Sequence, residues 1–163
     1  MGLCLKQLNN LWGEPINQKK INLANQVGPV CTDSRQVVKG SFFVPLVGER
    51  FDGHNFLSEV FEQGAQAAVI AKEFETKIPS TFLHWVVEDT LLAYQELALL
   101  HRTYLSIPVI AITGSVGKTT TKEIVKAILN PFGSIAATFG NNNNDIGVPR
   151  TLLEATQEDS AIV

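Results

Sequence analysis

Cysteine is scarce. Cys4 and Cys31 are the two present in 163 residues, too few for a disulfide scaffold and without the clustered histidines of a zinc site. They read as reduced thiols of a cytoplasmic protein. Charge of one sign is lacking too. Thirteen basic against sixteen acidic side chains leave −3, and no half carries the excess that binding nucleic acid requires. Apolar runs stay at strand length, as in residues 67–71, far below the roughly 20 residues that cross a bilayer. The opening MGLCLKQLNNLWG has no basic stretch before a long apolar run, and Lys6 stands where myristoylation needs Ser or Thr. No membrane insertion is expected. With 45% hydrophobic and 18% charged residues, disorder is excluded as well.

What is present is an alternation of strand-like and helix-like segments, which predicts an α/β chain. Leu3, Leu5, Leu8 and Leu11 make an amphipathic opening. Residues 21–34 read as extended with a break at Gly28-Pro29, and 41–47 as a strand entering a polar, exposed loop over 48–53. Leu57, Val60 and Phe61 predict a helix of about ten residues, capped by Asn55 and stopped by Gly64. Residues 67–71 and 82–87 read as buried strands. Ala93, Leu97, Leu100 and Tyr104 mark a helix that opens at Asp89-Thr90 and closes before Pro108. The domain boundary is placed there: a small mixed α/β domain over 1–105, with a linker helix at about 89–105, and an incomplete second domain over 106–163. The second restarts as strand (109–112), glycine loop, helix (119–129), strand (134–138), loop and helix (149–155), the start of a doubly wound parallel sheet. Residues 159–163 look like one more buried strand, on which the chain stops. That reads as a truncated protein, against the alternative of a natural end in a short edge strand.

Thr113 and the run Gly114, Ser115, Val116, Gly117, Lys118, Thr119 and Thr120 lie between the apolar strand and the amphipathic helix. Glycines let backbone amides turn inward around phosphates, and the helix sets its positive end against the same anion. Lys118 would neutralise phosphate oxygens, and Thr119 would offer its hydroxyl to a bridging Mg²⁺. The run from Gly114 to Thr120 is therefore read as an ATP-binding loop, with Lys118 and Thr119 as its catalytic members. A glycine turn with a solvated lysine is the alternative. The general P-loop pattern places its first glycine where Ile112 sits, so this loop is a shortened variant.

The TGSVGKTT form resembles the shortened phosphate loop of the Mur ligases, ATP-dependent amide-forming enzymes of peptidoglycan synthesis. Asp33-Ser34-Arg35, Gly40-Ser41-Phe42-Phe43-Val44-Pro45-Leu46, Gly48-Glu49-Arg50-Phe51-Asp52-Gly53-His54 and Gly64-Ala65 are similar to the family's N-terminal domain, which holds the UDP end of the substrate. Thr119-Thr120-Thr121-Lys122-Glu123 and the string from Gly140 to Pro149 resemble the branch that adds D-alanyl-D-alanine to UDP-N-acetylmuramoyl-tripeptide. The sibling branch that adds the third-position diamino acid usually has asparagine at the position of Val116 and lacks the asparagine-rich string. A related folate polyglutamate ligase is disfavoured by the UDP-type opening. A non-catalytic nucleotide-binding module is the reading from another class.

The resemblance implies that a γ-phosphoryl transfer activates a carboxylate as an acyl phosphate, which an amine then attacks. It implies ATP and Mg²⁺, UDP-N-acetylmuramoyl-tripeptide and D-alanyl-D-alanine as partners, and a monomer. The family has three domains, of which the first and the opening of the second are expected here, so no turnover is expected of this chain alone. Ser34 and Arg35 stand where the family meets uridine and diphosphate, with a turn and an exposed arginine as the alternative. Glu49, Arg50 and Phe51 are placed for the uracil, or else form a mobile loop. Asn141 and Asn144, with the two asparagines between them, are placed for the peptide part of the substrate, or else form a turn. His54 reads as structural, holding its loop by a hydrogen bond. His84 and His101 are assigned no role.

Overall fold

In the computed structural model, which describes residues 3–17, 22–140 and 144–163, the neighbours Phe42 and Phe43 are both fully buried. Successive strand residues face opposite sides of a sheet, so such a pair demands cover on both faces. By its contacts the chain divides into two units, Met1–Glu96 and Leu97–Val163. The division falls inside the helix expected at about 89–105, ahead of its end.

The first unit contains α1 (Leu5–Trp12), β1 (Val30–Cys31), β2 (Phe42–Phe43), β3 (Val47–Gly48), β4 (Phe51–Asp52), α2 (Leu57–Glu62), β5 (Ala67–Ala71), β6 (His84–Val87) and the start of α3 (Thr90–Thr103). The sheet order is β1-β2-β5-β6, every pair parallel. An all-parallel sheet has helices on its faces, which is why β5 reads Ala-Ala-Val-Ile-Ala without alternation. Phe43 joins Cys31, Leu57, Val60, Ile70 and Phe82 in one cluster. Phe42 points the other way, into Trp12 and Trp85, with ring centroids 6.2 and 5.9 Å apart. The Trp85 indole N–H donates to Gly13 O at 3.1 Å, so this ring is both buried and satisfied. Full burial of each such aromatic stabilises by about 1.5–3 kcal/mol.

Several boundaries differ from those expected. Within 21–34 the strand is two residues long, and a turn closes where Asn25 N donates to Asn22 O at 2.9 Å; residue 21 lies outside the described residues. The strand expected over 41–47 is interrupted around Pro45, which has no N–H to give a ladder. The exposed loop expected at 48–53 is a hairpin instead, with Val47 opposite Asp52 and Gly48 opposite Phe51. Asn55 does not cap the helix: α2 starts from Phe56 without a side-chain cap bond, and ahead of it the Asp52 carboxylate accepts from His54 N at 2.9 Å and opens a 3-10 turn, Gly53–Phe56. Gly64, at φ +86°, ends that helix as expected.

The second unit contains α4 (Lys118–Leu129), β7 (Ile135–Ala136), α5 (Gly147–Glu154) and β8 (Ala161–Ile162). β7 pairs with β8 in parallel. The strand expected over 109–112 is extended backbone with a single bridge, Val109 to Ile162, held by Ile110 N to Ile162 O at 2.8 Å and Ile162 N to Pro108 O at 2.9 Å. The faces are doubly covered. Val125 and Leu129 of α4 pack with Ile135, Ala161 and Val163, whereas Leu152 and Ala155 pack with Ile162 on the other side.

Candidate functional site

The phosphate loop takes its shape from two glycines. Gly117 sits at φ 76°, ψ 0°, the left-handed conformation that a side chain resists, and is the residue from which α4 starts. Gly114 is at φ 156°. The first i→i−4 bond of α4 is Thr121 N to Gly117 O at 2.9 Å, so the positive end of the helix opens onto the loop. Gly114, Ser115, Val116, Gly117, Thr119 and Thr120 are exposed, Val116 at 91%. The Lys118 ammonium donates to Gly114 O at 2.6 Å and closes the loop on itself. Below it lies a cavity of about 200 Å³ lined by Lys118, Thr119, Lys122, Thr138, Gly140 and the apolar residues around them. Lys118 and Thr119 are thus brought to one cavity edge. An oxygen-seeking cation such as Mg²⁺ is suited by the Thr119 hydroxyl together with phosphate oxygens. Among the described residues no group of three His, Cys, Asp or Glu side chains is disposed to hold a metal ion.

Sequence reasoning gave Lys122 no function. It is 7% exposed, on the inward stripe Lys122-Val125-Leu129 of α4. The signal was available: a lysine stands where helical spacing calls for an apolar residue.

In the first unit the turns after β1, β2, β5 and β6 share one edge, because the strands are parallel. That carboxyl edge is where open α/β sheets place ligands. Ser34 is buried there and Arg35 is exposed. The Asp33 carboxylate takes the Arg35 fork, Nε at 2.9 Å and Nη2 at 2.6 Å, and also Arg35 N at 3.0 Å. The Arg35 side-chain hydrogen bonds, and then the backbone one, lower the Asp33 pKa to about 2. The side-chain hydrogen bonds to Asp33, and then its charge, raise that of Arg35. With 84% of its side chain in solvent, Arg35 is open to an incoming anion. Glu49 and Arg50 form the exposed tip of the hairpin, and Phe51 stacks on Phe56 with centroids 5.4 Å apart.

Asn144 Oδ1 accepts from Gly147 N at 2.9 Å and from Ile146 N at 3.4 Å, so it shapes the entry to α5. Asn141 lies outside the described residues. His54 is wholly structural in its contacts: Nδ1 meets Asp52 Oδ1 at 2.7 Å, and Nε2 accepts from Ala71 N at 3.0 Å. His84 Nδ1 meets Phe82 O, while its buried Nε2 has no partner among the described residues. His101 Nε2 lies 3.0 Å from Ala155 O. Among the described residues no helix is long and apolar enough to cross a membrane.

Residues 27–113 match the Mur ligase family catalytic domain, and residues 112–163 the Mur ligase middle domain. The UDP-N-acetylmuramoyl-tripeptide–D-alanyl-D-alanine ligase of Synechocystis sp. is 47% identical over 139 residues, covering 85% of this chain and 30% of that protein. MurF from Acinetobacter baumannii superimposes with a TM-score of 0.84 at 37% identity, over 99% of this chain and 35% of the other. MurF ligase from Thermotoga maritima, solved in complex with ADP, gives a TM-score of 0.70 at 33% identity, over 82% and 30%. The chain spans about a third of the length of these relatives.

Proposed function

The chain belongs to the Mur ligase family, and from that membership we propose that it forms the UDP-substrate domain and the phosphate loop of a MurF-type ligase. The reaction joins D-alanyl-D-alanine to UDP-N-acetylmuramoyl-tripeptide in the cytoplasm at the expense of ATP. The observation that carries the reading is the phosphate loop: left-handed Gly117 at the start of α4, with Lys118 and Thr119 at the edge of one cavity. The names of the relatives supply the substrate class, and the ADP complex of one relative supports the nucleotide.

Each residue then has a task set by charge. Lys118 exchanges the Gly114 carbonyl for phosphate oxygens, and the amides of the loop and of the first turn of α4 line the same anion. Thr119 offers an oxygen to Mg²⁺, which when bound supplies charge neutralisation between the phosphates. In the first unit, Arg35 takes the diphosphate and Ser34 the uridine end, with Glu49, Arg50 and Phe51 at the base. Asn141 and Asn144 hold the peptide part. Positioning and electrostatics of this kind are what phosphoryl transfer asks of a protein.

Calorimetric titration of the chain with UDP-N-acetylmuramoyl-tripeptide and with Mg-ATP tests the reading. Binding of both is the expected result. Binding of ATP with no affinity for the UDP compound would replace the ligase by a nucleotide-binding module.

A further inference from the structure

Among the described residues β3 and β4 pair with each other and not with the four-stranded sheet. A lone ribbon of two short strands has little stability of its own. A buried side chain ties this one to the end of β5. Ala71, the last residue of β5, donates its amide to His54 Nε2 at 3.0 Å. On the far side of the ring Nδ1 meets Asp52 of β4, which stands opposite Val47 of β3. One position further out Gly48 faces Phe51, and Glu49 and Arg50 close the turn. The residues assigned to the uracil therefore follow directly on the tie.

The tie exists in one protonation state. A backbone amide can only donate, so Nε2 must present a lone pair to Ala71. A second proton on the ring would set N–H against N–H there, while the proton on Nδ1 keeps its carboxylate. Acid thus cuts the link to β5 and spares the link to β4. The ring is wholly buried and stacked on Phe74, so water cannot readily stand in for the lost partner. Of the charged groups on the elements packed against it, Asp52 faces the ring. Lys72, Glu73 and Glu75, on the turn that carries Phe74, are exposed, as are Glu49 and Arg50.

We propose that His54 is a positioning residue for the UDP end of the substrate: its neutral ring holds Glu49, Arg50 and Phe51 at the carboxyl edge of the sheet, where Ser34 and Arg35 lie, and its protonation releases them and weakens binding. The proposal rests on the ligase reading above and deepens it. Phe51 also rests on Phe56, so what the ring adds is a bond to the backbone of the sheet itself.

Titration of the full 163-residue chain with UDP-N-acetylmuramoyl-tripeptide from about pH 8 to about pH 5 tests it, beside His54→Gln and His54→Asn. Glutamine Oε1 reaches the place of Nε2 and takes up no proton in this range. Asparagine reaches only the place of Nδ1 and leaves the Ala71 amide without an acceptor. At about pH 8, His54→Gln is expected to bind within about threefold of the parent and His54→Asn about fivefold to tenfold more weakly, the scale of one lost hydrogen bond. Towards about pH 5 the parent is expected to lose about fivefold to tenfold more affinity than His54→Gln does. Melting curves at each pH mark the range in which each protein is folded. A histidine that only supports the fold would leave folded His54→Asn with parent affinity, or the parent and His54→Gln with superimposable pH profiles; either result overturns the proposal. Should a variant not fold, the parent decides. Its Glu49, Arg50 and Ala71 amide NMR signals are expected to move on acidification together with the affinity, and stationary Glu49 and Arg50 signals overturn the proposal. A parent chain that binds the UDP compound equally well across the range sinks this inference alone, whereas one that binds it at no pH sinks the ligase reading as well.

Discussion

The imidazole of His54 accepts the amide proton of Ala71 at 3.0 Å while its other nitrogen meets Asp52 at 2.7 Å. The ring also stacks on Phe74, centroids 4.0 Å apart. One buried side chain thus ties the β3–β4 hairpin to the end of β5. Nε2 accepts from an amide, so the ring proton sits on Nδ1 and points at the carboxylate. His54→Ala removes both bonds and leaves a cavity beside Phe74. The expected loss is about 2–4 kcal/mol in urea unfolding. Loss of less than about 0.5 kcal/mol, the range of an ordinary surface change, would show the ring to be dispensable.

Gly53→Ala tests the same junction from the backbone. A Cβ there would stand 2.8 Å from Pro45 Cα and 3.0 Å from Leu46 N, both backbone atoms that move only with the chain. Overpacking of this kind costs about 1–3 kcal/mol, and a lowered thermal midpoint should report it. Gly53 donates to Leu46 O at 2.9 Å, so the expected change is accompanied by loss of the hairpin amide signals in NMR.

The Asp33–Arg35 pair sets a pH dependence. The Asp33 pKa is lowered from 3.8 to about 2, chiefly by the Arg35 side chain. A carboxylate with a depressed folded pKa stabilises fully above its unfolded value, and that contribution fades as pH falls from near 3.8 towards 2. A carboxyl-carbon NMR titration should place the Asp33 midpoint near 2, and Arg35→Ala should return it towards 3.8. An unchanged midpoint in the variant would assign the shift to something other than Arg35.

Lys118→Ala separates the nucleotide from the fold. The Lys118 ammonium is held by the exposed carbonyl of Gly114, so removing the side chain should leave circular dichroism and melting nearly unchanged. Mg-ATP affinity should fall at least tenfold, the scale of a lost charged hydrogen bond to phosphate, about 1.5–3 kcal/mol. Parent-like affinity would remove Lys118 from the site.

How much of the fold and the site was legible in the residues depends on the strength of each local signal. Five consecutive apolar residues announced β5, and Asp89 announced the start of α3, where its carboxylate accepts from Leu91 N at 2.7 Å. The glycine loop was placed between extended chain and helix because glycine spacing and helix periodicity are both short-range properties. The hairpin was not legible: Glu49-Arg50 lacks the Asn-Gly or Asp-Gly pair that announces a tight turn, and its pairing depends on His54 and Gly53 behind it. The two-residue strands were overestimated because their apolar flanks are buried by contacts distant in sequence. Asn144 was read as a ligand group or a turn former, and its Oδ1 accepts from Gly147 N at 2.9 Å ahead of α5; the same side-chain oxygen suits either task. Lys122 was passed over because burial of a lysine is decided by the carbonyls of Thr138 and Gly140, which no window on α4 contains.

The opposed burial of Phe42 and Phe43 sets β2 between two compartments. Were it to pair one position out of step with β1 and β5, the ring now lodged between Trp12 and Trp85 would be thrown into the compartment of Leu57 and Val60, and its neighbour would take the reverse path. The two rings are chemically alike, so what such a slip forfeits is the backbone pairing, Phe42 N to Pro29 O and Val44 N to Cys31 O, both at 2.9 Å, which sets where the turns at the rim of the sheet emerge.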